Sequence, residues 1–212
     1  MIDHKKVSLS NQIFEKIEEG ILHGKYTQGS IISPEKAAVD LRVGAGIVKE
    51  ALIRLETERL IKNTADGYMV IGISSEEIDY MFNVKEKIEA EAAALATVNI
   101  KDEELSEMRA ILEKQEQAVK TGNVEAVKNL DTRFHDIIYS CSGSTTYELI
   151  LSTIHHKLSK YRMASLEKND RIINSVREHR QVYEAMMKRD EDGVKKLMIM
   201  HIEHAHNSII NG

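Results

Sequence analysis

Between Ser74 and Ile210 the chain contains no proline, and only Gly122, Gly143 and Gly193 break an otherwise continuous helical periodicity. Proline and glycine are the residues that most often end a helix, so a stretch of this length with no proline and only three glycines folds most readily as packed helices. The apolar spacing divides it at roughly 75–98, 101–121, 123–141, 144–166, 168–189 and 191–209. Ser74 with Glu77 three residues on has the form of a capping box at the first start. Short connections between long helices predict an antiparallel bundle.

Residues 1–73 are written differently, in short elements with turn signals between them. Ile13, Ile17, Ile21 and Leu22 make a helical stripe over Leu9 to His23, with Gly24 placed to end it. Ser33-Pro34 supplies an N-cap and a first-turn proline for a short helix through Ala37, Ala38 and Leu41. Val43-Gly44-Ala45-Gly46 reads as a turn, and Ile47, Ala51, Leu52 and Leu55 form a third stripe. Leu60-Ile61, the polar Asn63–Gly67 turn and Tyr68–Ile71 predict a β-hairpin. That order is the outline of a winged helix-turn-helix whose third helix would enter a DNA major groove, though a small α+β domain without nucleic acid shares it. The fold class expected is therefore mostly α: a winged helix-turn-helix over 1–73 and an all-helical bundle over 74–212.

Charge does not decide between these. The net charge of −5 falls entirely on the second segment, since residues 1–73 hold ten basic and ten acidic side chains. The Met1–Lys6 start leads into no signal-peptide core, and Ala90–Ile100, which carries Glu91, is far short of a membrane span. Cys141 is the single cysteine, which suits a reducing compartment. A cytoplasmic protein with no membrane partner is expected.

One constellation carries chemistry. Asp131 and His135 are four residues apart and share a helix face, while His179 and His201 belong to later helices. A carboxylate and three imidazoles can converge inside a bundle on a divalent metal, with positions left open. Nine histidines also allow such a pair by chance, and His204 and His206 compete with His201. His135-Asp136 admits a metal-dependent phosphohydrolase, but adjacent helical residues diverge by about 100°. No phosphate-binding glycine loop or nucleophile–base pattern is present, and no catalytic residue is assigned.

The motif order resembles the GntR family of transcription regulators, in the FadR-like subgroup with an FCD effector domain. The resemblance runs through Ile21–Tyr26 to Gly29, Val43–Leu52, Arg54-Leu55-Glu56, Leu60-Ile61 and Gly67. It continues at Asp131-Thr132-Arg133-Phe134-His135, Glu178-His179-Arg180 and His201-Ile202. It implies a homodimeric, DNA-binding repressor that sets two heads on a palindromic operator and senses a small carboxylic acid. It implies DNA contacts at Lys36, Gly46, Lys49, Arg54 and Gly67, and an effector contact at Lys85. It also implies Asp131, His135, His179 and His201 as metal ligands, for zinc first, with nickel or manganese as alternatives. The departures cluster in the DNA-reading head. Gly44, Ala45, Gly46 and Ile47 replace the family's Ser, Arg, Thr and Pro, Lys49 replaces an arginine, and Asp66 a basic residue. Gln28 stands for a proline, and Arg59 fills a position that is commonly glycine. In the effector domain, Lys85 replaces an arginine. A metal- and ligand-binding helical protein with weakened DNA binding is the alternative these changes raise.

Overall fold

In a computed structural model the described residues are 8–22, 24–166 and 169–210, with side chains described for all but 159–170. The Met1–Lys6 segment, His23 and Lys168, on which the sequence expectations touch, lie outside them. The chain divides into two compact units, Met1–Ser75 and Glu76–Gly212.

The first unit runs α1 (Leu9–Leu22), β1 (Ile31–Ile32), α2 (Pro34–Leu41), α3 (Ala45–Thr57), β2 (Ile61–Thr64) and β3 (Gly67–Val70). Ser33, in extended conformation, accepts the Lys36 backbone N–H at 3.3 Å and so starts α2. The expected stripes meet in one core: Ile13, Ile17 and Ile21 pack with Val48, Ala51, Leu52 and Leu55, closed by Leu60, Ile61, Tyr68 and Val70. The hairpin gains a third strand. Ile31 pairs with Met69 and Ile32 with Tyr68, giving the order β1-β3-β2. Two residues are too few to show an alternating pattern, so β1 was not legible. Helix α3 begins at Ala45, two residues before the stripe, with Gly44 as an N-cap that offers no side chain. Arg59 sits at φ 60°, two residues before β2, a left-handed position costing a non-glycine residue about 1–3 kcal/mol.

Gly67 is the conformational pivot of the wing. Its φ is +126°, and a Cβ there would meet Ile31 Cγ2 at 2.9 Å and the Ile32 carbonyl oxygen at 3.1 Å. Gly67→Ala therefore both strains the backbone and pushes β1 off β3. We expect it to destabilise the N-terminal unit by about 1–3 kcal/mol, read by urea denaturation. An unchanged transition would mean that the wing absorbs the methyl group.

The described residues of the second unit form helices joined by short connections: α4 (Ser75–Asn99), α5 (Asp102–Lys120), α6 (Val124–Cys141), α7 (Thr145–Leu166), α8 (Asn169–Met187) and α9 (Glu191–Ile210). The Glu104 carboxylate accepts the Lys101 backbone N–H at 2.9 Å, and Asn123 Oδ1 accepts that of Ala126 at 3.0 Å, capping the starts of α5 and α6. Helix α5 packs on α6 and α8, α6 on α7, and α8 on α9. Met108, Ile111, Leu112, Phe134, Ile138 and Tyr139 are fully buried between them. No described helix is long and apolar enough to cross a membrane.

Candidate metal centre and nucleic-acid interface

The bundle interior is not uniformly apolar. Lys85 and Glu89 on α4, Gln115 on α5, Asp131 and His135 on α6, His155 on α7, Glu178 and His179 on α8, and His201 on α9 are all buried. Helical spacing explains why α6 contributes two: Asp131, His135 and Tyr139 are successive turns of one inward stripe.

Three of these histidines form a tight group, in which one ring nitrogen each from His135, His179 and His201 lies within 4.8 Å of the others. The other nitrogen of each ring is engaged outward. His135 Nδ1 donates to Glu89 at 2.5 Å, His201 Nδ1 to Glu178 at 2.7 Å, and His179 Nδ1 to the Gln115 Oε1 at 3.3 Å. Carboxylate and amide oxygens only accept, so all three protons sit on Nδ1 and all three Nε2 lone pairs turn inward. Asp131 Oδ1 lies 3.6 Å from His179 Nε2 and 4.0 Å from His135 Nε2. The four side chains singled out in the sequence are thus brought together, and Glu89, Gln115 and Glu178 orient the three imidazoles.

Burial sets the protonation of this group. Loss of solvent is the largest effect on His135, pushing it well below the ordinary imidazole value, with Lys85 adding to it. Burial likewise carries His179 down to about 3 and lowers His201 against the opposing pull of Glu178. Burial opposes ionisation of Glu178, but the His201 hydrogen bond and charge and the Arg171 guanidinium bring it to about 2. Neutral imidazoles are the protonation state a divalent metal requires of histidine ligands.

A metal would satisfy a buried donor atom at His179. Its Nε2 is wholly buried with no hydrogen-bond partner, a condition that costs about 1–3 kcal/mol unless something else satisfies the lone pair. Nε2 donors and one carboxylate, each imidazole held by an outer acceptor, suit zinc, nickel or manganese.

A narrow cleft opens beside the group, lined by Lys85, Asp131, His135, Arg171, Ser175 and His201. Lys85 is 4% exposed and is committed to the Glu89 carboxylate and the Tyr139 hydroxyl. Arg171 pairs with both Glu178 oxygens, at 2.9 and 3.0 Å. His204 also donates to Glu178, at 2.8 Å, and His206 stacks on Phe82 while bonding Asp79. Asp136 is exposed and borders a different depression, with Glu107 and Arg133. The helical divergence that argued against a joint His135–Asp136 site is what the structure shows.

Sequence reasoning missed Glu89, Gln115, Tyr139, His155 and Arg171. Gln115 was detectable, as a polar residue on the α5 stripe of Met108, Ile111, Leu112 and Ala118. His155 was not, because the residues at helical spacing from it, Leu151, Ser152, Leu158 and Ser159, include no second ligand-type side chain.

In the N-terminal unit, Gly46, Lys49 and Gly67 line one cleft where the start of α3 meets the wing, together with Glu35 and Asn63. Lys36 is exposed on α2 and does not line that cleft. Arg54 is turned away onto α1: its guanidinium sits 4.2 Å from the Phe14 ring centroid and donates to Asn11 Oδ1 at 2.5 Å.

Residues 80–204 match the FCD domain family and residues 9–64 the bacterial regulatory proteins of the gntR family. Among curated proteins, the chain is 22% identical to the uncharacterized HTH-type transcriptional regulator YdhC of Bacillus subtilis, over 91% of its own length and 87% of that protein. It is also 22% identical to the HTH-type transcriptional repressor RspR of Escherichia coli, over 95% and 89%. The solved structure of E. coli McbR/YncC superposes with a TM-score of 0.79 at 20% identity, covering 97% of this chain and 99% of that one.

Proposed function

Because the chain belongs to the GntR family of bacterial regulatory proteins and carries an FCD domain, we propose that it is a cytoplasmic, homodimeric repressor that senses a small carboxylic acid at a metal centre. The observation that carries the sensing half is the buried, unsatisfied Nε2 of His179 among two more inward-facing imidazoles. Asp131, His135, His179 and His201 are the proposed ligands, for zinc first and nickel or manganese otherwise. A divalent cation there supplies positive charge and open positions that a carboxylate oxygen can fill. The protein supplies the rest. Glu89, Gln115 and Glu178 hold the rings in register, Lys85 and Arg171 bring cationic side chains to the cleft that are each paired with a carboxylate, and Phe82 and Ile202 give it an apolar wall.

For DNA, Gly46, Lys49 and Gly67 are the proposed contact surface, with Lys36 beside it. A second reading, in which the head binds DNA weakly, is favoured by Arg54 facing Phe14 and by Glu35 beside Lys49 in the cleft. Titration of the protein against its own upstream DNA and a scrambled duplex, at two salt concentrations, separates the readings. The regulator predicts a specific complex whose affinity falls with salt. Lys49→Ala should then cost about 1–3 kcal/mol on the upstream DNA, and Lys49→Arg, which restores a bidentate fork, should tighten it. Equal, purely salt-driven binding of both duplexes would favour the weakened head.

A further inference from the structure

His155 is the fourth imidazole at the centre, and its surroundings differ in kind from those of the other three. It is 2% exposed, its ring centroid is 4.9 Å from that of His135, and its Nε2 lies 3.8 Å from Asp131 Oδ2. Its Nδ1 faces the Tyr139 hydroxyl at 3.3 Å, and that hydroxyl oxygen is 3.1 Å from Lys85 Nζ. An ammonium can only donate, so Lys85 donates to the Tyr139 oxygen and leaves the phenolic proton to point onward. The hydroxyl then donates to His155 Nδ1, which must present its lone pair, and the His155 proton is left on Nε2, aimed at Asp131. The other three rings carry the proton on Nδ1 and the lone pair on Nε2. Opposite partners at Nδ1 produce opposite tautomers at one site.

We propose that His155 is a positioning residue rather than a fifth ligand: the chain Lys85–Tyr139–His155 holds Asp131 by Oδ2 and so presents Oδ1 alone to the metal. The contact to Oδ2 is longer than a hydrogen bond and closes only with a turn of the carboxylate. The same Lys85 pairs with Glu89, which orients His135. One buried cation therefore anchors the outer support of two proposed ligands. Buried where it is and committed to both arms, Lys85 acts here as a structural anchor. The inference rests on Asp131, His135, His179 and His201 being a metal site.

The test is metal binding by the full-length protein, stripped and titrated with Zn²⁺ against a competing chelator and with Co²⁺ by visible absorption. Loss of an outer-shell partner typically weakens metal affinity by about 10–100-fold. His155→Leu should show that loss. His155→Gln, whose amide can still donate from nearly the place of Nε2, should stay within a few-fold of the parent. Tyr139→Phe removes only the hydroxyl and should weaken binding by an intermediate factor, with the metal-free proteins' circular dichroism confirming that each variant folds. The Co²⁺ band position and intensity should be those of the parent in all three, because no ligand is lost. Parent-like affinity in His155→Leu would overturn the positioning role while leaving the metal site intact. A Co²⁺ spectrum changed alike in His155→Leu and His155→Gln would overturn it by making His155 a ligand. If the parent protein takes up neither ion, the metal reading itself fails and this inference with it.

Discussion

Saturating the stripped protein with Zn²⁺ is expected to raise the melting temperature of the C-terminal helical unit by about 8–16 °C. The figure follows from linkage. A ligand that binds only the folded form at about a thousand times its dissociation constant stabilises by about 4 kcal/mol. In a domain of this size each kcal/mol moves the transition by about 2–4 °C. The three inward Nε2 atoms and Asp131 come from α6, α8 and α9, so the site exists only when those helices are packed. His179→Ala should abolish most of the increment, since His179 stacks on Phe134 at 4.4 Å and is central to the group. His204→Ala is the matched control: its side chain is half exposed and reaches only the outer Glu178, so it should keep the full increment. Scanning calorimetry with and without metal reads all three proteins. Coincident transitions for the parent would remove the metal centre from the proposed function.

How far this centre could be read in advance depends on what kind of relation joins its parts. The bundle was legible because proline avoidance and helical periodicity are local properties, and the observed α4 to α9 follow the expected spans closely. Asp131 and His135 were legible because spacing on one helix fixes a shared face. Their convergence with His179 and His201 came from the family resemblance, since no local rule states which faces of α6, α8 and α9 meet. The outer residues were hidden for the same reason more severely. Glu89 lies among Ala90, Ala92 and Ala93, where its burial is visible only once α4 is packed. In the head, the reverse happened. Arg54 looked like a free basic side chain in sequence, and its partners Phe14 and Asn11 on α1 became visible only in the fold.

Acid should unfold the metal-free protein over a narrow range that begins below pH 6.5. His135, His179 and His201 are all pushed below their ordinary value by burial, His179 to about 3. Groups whose folded value is depressed contribute stability that is present above the unfolded value, near 6.5, and is lost as pH falls toward the folded value. The groups facing them do not reverse this. Lys85 adds to the depression of His135, Arg171 to that of His179 and His201, while Asp131 and Glu178 oppose it without overcoming burial. Below the unfolded value and above all three folded values, the unfolded chain binds up to one more proton at each of three sites, so stability falls by up to about 4 kcal/mol for each unit of pH lowered. A typical reserve of about 5–15 kcal/mol is then consumed within about 1–4 units. Glu178 adds a further loss below pH 4.5, as the pH falls toward its folded value of about 2. Replacing His179 by Leu removes one of the three protons and should flatten the slope by about a third, whatever it does to stability at neutral pH. Denaturant midpoints measured from pH 8 to pH 4 supply the slope. A flat profile from 6.5 to 4.5 would mean that the three rings take up protons while folded, in which case their Nε2 atoms are open to solvent and the buried neutral site does not exist. With Zn²⁺ bound, an added 4 kcal/mol on the same slope should move the acid transition down by about one pH unit.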